Sequence, residues 1–422
     1  MNAIEQMERE AAAMQHTTPE GGTDRRTVTS PANGRQGGRP SVTKQIADAF
    51  IQAQGDPFPI KKHRGQWYFY SGGVYRPITP DDLKGRIVKF LREIFPEAAT
   101  RTMIQNIIEN LHALDVAGVE SLVTMPSWFS TGRGAAGWIP MRNALVNVEA
   151  LALQMSGESI DAAEVSRPHS HDLFSRWGLP YAFEPGADCP KWRAFLADVQ
   201  PEAKAREYLQ MLSGLALVPD TSFNVFFVLY GEGGSGKSVF LHVLEKLVGA
   251  ENVCAVPLTK FIEKHSIHPL TENLLNIVGD MPTSDGRAER EAEGVLKVTA
   301  DGGILACEPK GTNVYSARAT ARCIFATNSL PTFADRSSAI WDRMRVFPFD
   351  VRIRGTEKQN PRLRHEIARA ELPGVFLWAV EGLGMLRKLQ QFPRGAKGEV
   401  IENQHRQDCD HERQFLQDRY EI

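Results

Sequence analysis

The chain of 422 residues is predicted to have an α/β fold built around a parallel sheet, and one segment in its second half carries the prediction. Residues 225–229 are all apolar, without the alternation of a half-exposed strand, which is typical of a strand buried on both faces of a parallel sheet. A glycine-rich loop follows at 231–238. Apolar residues then recur at helical spacing over 239–247, so the segment is predicted to be a strand, a loop and a helix.

The loop has the pattern of a phosphate-binding loop. Its residues in order are Gly231, Glu232, Gly233, Gly234, Ser235, Gly236, Lys237 and Ser238, and Val239 follows. Unpaired backbone N–H groups and the positive end of the helix dipole favour an anion at such a helix start. In this pattern Lys237 reaches the β- and γ-phosphates, and the hydroxyl of Ser238 reaches magnesium. Residues 231–239 are therefore predicted to bind ATP with Mg2+.

The loop also fits the weaker dinucleotide pattern Gly-x-Gly-x-x-Gly through Gly231, Gly233 and Gly236. Two observations favour the triphosphate. A nicotinamide-binding loop has no use for a Lys-Ser pair at the helix start, and it needs an acidic residue at the end of the second strand about 20 positions later. Glu251 is near that spacing, but its surroundings, Gly-Ala-Glu-Asn, are typical of a helix exit.

Composition argues against an exported or membrane protein. The five cysteines are scattered and odd in number, and no pair has Cys-x-x-Cys spacing, which argues against a disulfide framework and a zinc site. No signal peptide and no apolar run of about 18 residues is present, so a cytoplasmic protein is expected. The net charge is only −2, but 12 Lys and Arg stand against 6 Asp and Glu between 304 and 370, where a polyanion is therefore expected.

The chain is divided into four parts. Residues 1–40 are rich in Gly, Thr, Ser, Pro and Gln and are expected to be a disordered tail. Residues 41–200 are predicted to form a smaller α+β domain. Residues 201–392 contain the loop and the predicted sheet, and 393–422 begin a C-terminal helical region.

The smaller domain is predicted to contain a hairpin and several helices. Trp67, Tyr68, Tyr70 and Tyr75 lie on the hairpin and are expected to pack in a core rather than to stack on bases. Helices are predicted in it at about 81–94 and 101–114. Two further helices, at about 192–199 and 204–217, are predicted to lead into the part that contains the glycine loop.

Hydrolysis of a triphosphate needs an acidic residue near magnesium, a polar residue that orients water, and usually an arginine. Asp280 ends a short apolar strand at 276–279 and is predicted to be the acidic residue. Asn328 follows an apolar strand at 323–327 and would lie beside the γ-phosphate if that strand sits between the other two. The predicted catalytic residues are Lys237, Asp280, Asn328 and Arg343, and the predicted metal ligands are Ser238 and Asp280.

Plainer interpretations exist for each of these residues. Asp280 would serve as a turn cap, and Asn328 would be an ordinary loop residue. Arg343 and Arg345 are both candidates for an arginine finger, and either would otherwise be a surface or structural residue.

Together these motifs resemble those of superfamily 3 helicases in order and spacing. Besides the loop and Asp280, they are Leu-Lys-Val-Thr-Ala-Asp-Gly-Gly at 296–303, Ala-Thr-Asn-Ser-Leu-Pro at 326–331, and the segment 341–349, which begins Trp-Asp-Arg. From about Gln66 to Asp418 the chain resembles the phage/plasmid primase-helicase group of that superfamily, which is related to the poxvirus primase/uncoating ATPase. The segments 143–148, 169–172 and 181–196 resemble the domain that precedes the motor in that group.

The resemblance implies an AAA+-like core in a homo-oligomeric, hexameric ring that moves along single-stranded DNA from 3′ to 5′ with ATP and magnesium. It also implies a bacterial host cell and a separate primase or other replication proteins as partners. Family members thread DNA through basic hairpins, and here the segment 304–316 supplies a hairpin with Lys310 at its tip. A basic tip suits phosphate contact without base readout.

The chain also departs from the family pattern. Asp280 is followed by Met281 where the family has a glutamate, so the catalytic base is not assigned. The order of glycine and aspartate around Asp301 is changed, and Trp-Asp-Arg replaces Trp-Arg-Arg, which favours Arg343 as the finger. The polymerase-type primase domain of larger members is expected to be absent, and the C-terminal winged helix is expected to be cut short.

The sequence thus predicts an ATP-dependent DNA helicase of a phage, plasmid or integrated mobile element that acts in replication. The alternative is a DNA-binding replication initiator or packaging factor that uses ATP as a switch and does not unwind DNA.

Overall fold

The computed structural model describes residues 42–113, 118–119, 123–281, 287–308, 314–333 and 338–409. The expected tail at 1–40, Lys310 at the predicted hairpin tip, and the end of the C-terminal region at 410–422 lie outside the described residues. Within the described ranges, no helix is long and apolar enough to cross a membrane.

The elements follow one another in a mixed α/β order. The helices are α1 (Val42–Ala53), α2 (Pro80–Ile94), α3 (Arg101–Ala113), α4 (Val148–Met155), α5 (Ala162–Val165), α6 (Pro190–Val199), α7 (Ala203–Leu215), α8 (Lys237–Val248), α9 (Arg287–Ala300), α10 (Ala339–Arg343), α11 (Leu363–Ala370), α12 (Leu372–Leu389) and α13 (Ala396–Asp408). The strands are β1 (Ile60–His63), β2 (Gln66–Ser71), β3 (Val74–Ile78), β4 (Ser127–Trp128), β5 (Trp138–Pro140), β6 (Leu145–Asn147), β7 (Ser166–Arg167), β8 (Leu173–Phe174), β9 (Phe226–Tyr230), β10 (Val253–Cys254), β11 (Leu275–Val278), β12 (Ile304–Cys307), β13 (Tyr315–Arg318), β14 (Arg322–Thr327) and β15 (Met344–Pro348).

The predicted parallel sheet is confirmed, with five strands in the order β10-β11-β14-β9-β15, every neighbouring pair parallel. Residues 226–229 of β9 are completely buried, as the uninterrupted apolar run predicts. The short 3₁₀ turn Ala250–Asn252 follows α8, so Glu251 does lie in a helix exit.

The antiparallel sheet β1-β2-β3 packs with α1–α3 in a separate small core. Trp67, Tyr68 and Tyr75 are buried, which confirms that these hairpin aromatics pack rather than present their faces to solvent. Thr79 begins α2 with a capping box, because its hydroxyl accepts from Asp82 N and the Asp82 carboxylate accepts from Thr79 N.

The largest hydrophobic core crosses residue 200, so the predicted division there does not coincide with a gap in packing. Helices α7 and α12 pack so closely that the backbone of each lies against the backbone of the other. A Cβ added to Gly214 would lie 2.3 Å from Ala379 O, and one added to Gly382 would lie 2.2 Å from Gln210 O. Glycine is therefore required at both positions for the two helices to meet.

β15 is an edge strand of the sheet, and the C-terminal helix α13 packs along its outer side. Glu402 accepts a hydrogen bond from Val346 N at 2.8 Å, and a Cβ added to Gly398 would lie 2.1 Å from Val346 O. Arg394 Nε lies 3.4 Å from the same carboxylate. Burial nevertheless raises the pKa of Glu402 from 4.5 to about 7.

The raised pKa of Glu402 predicts a pH-dependent contribution to stability. The folded state binds this proton more tightly than the unfolded chain, so the contribution is complete below pH 4.5 and is lost as the pH rises through about 7. Glu402→Gln keeps an acceptor for Val346 N and removes the titration. Urea unfolding at pH 5.5 and pH 8 should show wild type losing about 2 kcal/mol more than the variant over that interval. Equal losses in the two proteins would contradict the assignment.

Candidate nucleotide-binding site

The glycine loop joins the carboxyl end of β9 to the start of α8, and its shape depends on residues without side chains. Gly231, Gly234 and Gly236 have φ angles of 151°, 89° and 96°, a region that favours glycine. A Cβ on Gly236 would lie 2.6 Å from Val199 Cγ1 at the end of α6. The loop is therefore packed tightly against its surroundings and presents its backbone at a helix N-terminus, the arrangement that binds phosphate.

Lys237 is the first residue of α8, and its side chain folds back over the loop. Its ammonium group donates to Gly231 O at 2.5 Å and to Glu232 O at 3.0 Å. Desolvation lowers the pKa of Lys237, while the negative charge of Asp280 acts in the opposite direction. Two of the predicted site residues therefore lie near enough for the charge of Asp280 to act on the ammonium of Lys237.

Three loops meet at the carboxyl edge of the sheet. β14 lies between β11 and β9, which is the arrangement on which the prediction for Asn328 depended. Met281 N donates to Ala326 O at 2.9 Å and Gly231 N donates to Thr327 O at 3.2 Å, so backbone bonds join the three strand ends. Asp280, Asn328 and Ser238 are all exposed at this edge, where each is accessible to a ligand.

Arg343 lies at the opposite side of the sheet from the loop, where the amino ends of the strands are. It is the last residue of α10, and the next residue, Met344, pairs with Phe226 at the beginning of β9. At about 3.3 Å per residue, the glycine loop is on the order of 20 Å further along the sheet. Arg343 therefore cannot reach the phosphate loop of its own chain.

The guanidinium of Arg343 is held by a carboxylate. Its Nε and Nη2 atoms each lie 2.7 Å from an oxygen of Asp301, and Nη1 donates to Ala339 O at 2.6 Å. The two oriented hydrogen bonds form a bidentate pair, so the arginine has a fixed orientation at a surface edge.

The second candidate finger, Arg345, has a structural role. It lies in β15 and donates to the carbonyls of Asp342, Met344 and Phe392. Burial lowers the pKa of Arg345 to about 10. These backbone contacts tie β15 to the segment that leads into α13.

A segment that sequence reasoning did not place at the site runs directly over the loop. Phe349 N donates to Tyr230 O at 2.7 Å, and both Ile353 N and Arg354 N donate to Gly234 O, at 2.9 and 3.1 Å. The only sequence signal for this segment is its positive charge, because backbone hydrogen bonds leave no residue pattern.

A cleft of about 480 Å³ lies along β15, and its lining includes Val199 but none of the loop residues 231–239. It is bounded by the turn between α6 and α7, by β15, and by the start of α13. Its volume lies within the range of small-molecule sites, about 300–1,000 Å³.

Comparisons with protein families match two regions of the chain. Residues 46–201 match the family described as D5 N terminal like, and residues 229–343 match a family of unknown function, DUF5906. The second region contains the glycine loop, Asp280, Asn328 and Arg343.

Two viral proteins are similar to parts of the chain. Putative helicase 121R of Invertebrate iridescent virus 3 is 26% identical over 173 residues, which are 39% of this chain and 18% of the relative. Putative helicase L207/L206 of Acanthamoeba polyphaga mimivirus is 23% identical over 205 residues, which are 48% of this chain and 21% of the relative. The chain thus spans about a fifth of the length of these relatives.

Two apo structures of the NrS-1 C-terminal region share the fold. Their TM-scores are 0.54 and 0.52 at 12% and 11% identity, and the matches cover 86% and 85% of this chain and 75% and 74% of theirs. At that level of identity the similarity concerns the fold alone.

The tight packing of the loop predicts different outcomes for two glycine substitutions. Gly236→Ala places a Cβ 2.6 Å from Val199 Cγ1 at a positive φ, whereas Gly233→Ala meets nothing within 4 Å. Gly236→Ala should lower the free energy of unfolding by roughly 1–3 kcal/mol, and Gly233→Ala should change it by less than about 1 kcal/mol. Urea denaturation measures both variants, and equal stability of the two would refute the packing argument.

Proposed function

We propose that the protein is an ATP-dependent DNA helicase of a phage, plasmid or integrated mobile element that translocates on single-stranded DNA during replication. The observation that carries the proposal is the convergence of Lys237, Asp280 and Asn328 on one edge of a parallel sheet, beside a loop whose backbone is shaped by glycines. The similarity to viral proteins named as putative helicases supports the same class of activity.

The residues at this edge suit a bound triphosphate. The backbone of 231–238 and the ammonium of Lys237 would hold phosphate oxygens, since a cation and a helix start both favour an anion. Ser238 and Asp280 carry the oxygen ligands that Mg2+ prefers, and the metal would neutralise charge on the phosphates when bound. Asn328 would orient the attacking water.

The remaining catalytic group would come from a second copy of the chain. Arg343 lies too far from the loop of its own chain, so it is proposed to act on the nucleotide of the adjacent subunit. A site divided between two chains in this way would require an oligomer, and an AAA+-like hexameric ring is proposed.

The DNA contact is proposed to lie on the β12–β13 hairpin. The two strands pair antiparallel from Ile304 with Arg318 to Cys307 with Tyr315. Ile304 and Val314 are exposed on it, and Lys310 belongs to the connection between the strands. A basic connection on an exposed hairpin suits the backbone of single-stranded DNA.

Unwinding of a forked duplex tests the proposal. Wild type should separate the strands only with ATP and magnesium. Lys237→Ala should lose ATP hydrolysis by about 10³-fold or more and lose unwinding with it, because the ammonium is the main cation of the loop. Lys246→Ala, in the last turn of the same helix, is the matched control and should retain both activities.

The outcomes separate the two functional candidates. ATP-dependent DNA binding without strand separation would favour the alternative, a replication initiator or packaging factor switched by ATP. Unchanged ATP hydrolysis by Lys237→Ala would contradict both functional candidates.

The shared site predicts complementation between two inactive variants. Arg343→Ala should bind ATP normally and hydrolyse it roughly 10³-fold more slowly. Mixed with Lys237→Ala, it should regain part of the activity, because some interfaces then combine an intact loop with an intact arginine. A mixture of Lys237→Ala with the Lys237→Ala/Arg343→Ala double variant offers no such interface and serves as the control. Equal turnover in the two mixtures, with all proteins oligomeric, would mean that Arg343 does not act across subunits.

A further inference from the structure

The segment after β15 places an arginine, Arg354, against the phosphate loop. The backbone N–H groups of Ile353 and Arg354 both donate to Gly234 O. A Cβ built on Gly234 would lie 2.5 Å from Arg354 Cβ and 3.4 Å from both Arg354 Cδ and Nε. The side chain of Arg354 thus runs along the surface of the loop, and only the absence of a side chain at Gly234 permits it to do so.

The backbone that carries Arg354 is fixed on both sides. On the preceding side, Phe349 N is bonded to Tyr230 O at the end of β9. On the following side, Thr356 N and its hydroxyl both donate to Ile353 O, and Lys358 forms an ion pair of 2.5 Å with Asp198 of α6. The arginine is therefore anchored by its backbone to the elements that form the loop.

The guanidinium itself is exposed, and the structure shows no hydrogen bond or ion pair between it and any described residue. A guanidinium is permanently charged, and its planar fork of donors matches the oxygens of a phosphate. A cation carried by an anchored backbone beside a phosphate loop has the chemistry of a ligand-binding group. The neighbouring Arg352 is also exposed but makes no such approach to the loop.

We propose that Arg354 is a second phosphate-binding cation, which contacts the triphosphate bound at loop 231–238 of its own subunit. The inference rests on the proposed function, since it requires that the loop binds a nucleoside triphosphate. Arg354 and Lys237 then act in the same chain, whereas Arg343 acts on the neighbouring one. The planar guanidinium adds oriented bonds to the point charge that Lys237 supplies.

Equilibrium titration with a fluorescent ATP analogue and magnesium tests the assignment. Arg354→Ala should weaken binding roughly tenfold to a hundredfold, the range for lost hydrogen bonds to a charged group. Arg354→Lys should recover part of the loss, because it restores charge without the fork. Arg352→Ala is the matched control, two residues away on the same segment, and should bind like wild type. Because backbone atoms make the bonds to Gly234, all three variants should melt at the wild-type temperature without nucleotide.

The titration separates failure of the Arg354 assignment from failure of the proposed function. If wild type binds the analogue and Arg354→Ala binds it as tightly as Arg352→Ala does, the inference is wrong and the proposed function stands. Unchanged affinity for the analogue combined with weakened DNA binding also overturns it and assigns Arg354 to the DNA surface. If neither wild type nor any variant binds the analogue, the proposed function fails together with the inference.

Discussion

Close approach of neighbouring atoms to the glycine backbone of the loop is the constraint on which the candidate site depends. At Gly231, Gly234 and Gly236 an added Cβ would lie within 2.4, 2.5 and 2.6 Å of a neighbouring atom. The neighbours belong to the segment after β15 and to the end of α6, so elements distant in sequence hold the loop from two sides. The positive φ angles needed to curl the backbone are therefore maintained by tertiary packing, which also brings Arg354 to the loop.

Parallel strands then decide which groups share a site. Because all strands of the sheet run the same way, the residues that follow β9, β11 and β14 must emerge at one edge, and those that precede a strand must lie at the other. This rule brings Asp280 and Asn328 beside Lys237 and places Arg343 on the far side. Desolvation lowers the pKa of Lys237, and the nearby Asp280 favours its charged form, as expected of a cation held for an anionic ligand.

Sequence reasoning succeeded where the signal is local. The buried strand, the glycine loop and the helix at 226–248 each have a pattern within a few residues, and the structure has all three there. The helices at 80–94 and 101–113 were likewise predicted to within a residue. The position of Asn328 depended on strand order, which no local pattern specifies. The contact of Arg354 with Gly234 was missed, because a backbone hydrogen bond leaves no pattern of residue types in the sequence. The core that crosses residue 200 was missed because an apolar face in the sequence does not indicate which element it packs against.

The ion pair between Arg343 and Asp301 bears on how a divided site would work. On the proposed function, a neighbour's phosphates and Asp301 attract the same guanidinium. The pair is only partly exposed, with 23% and 34% of the two side chains accessible, so its two hydrogen bonds reduce the freedom of the arginine before any partner arrives. When a side chain is already held in one orientation before its partner binds, less side-chain entropy is lost on binding. Asp301 would thus lower the entropic cost of inserting Arg343, while its negative charge would oppose full transfer to the phosphates. The carboxylate of Asp301 therefore has a structural reason to be at this position in this chain.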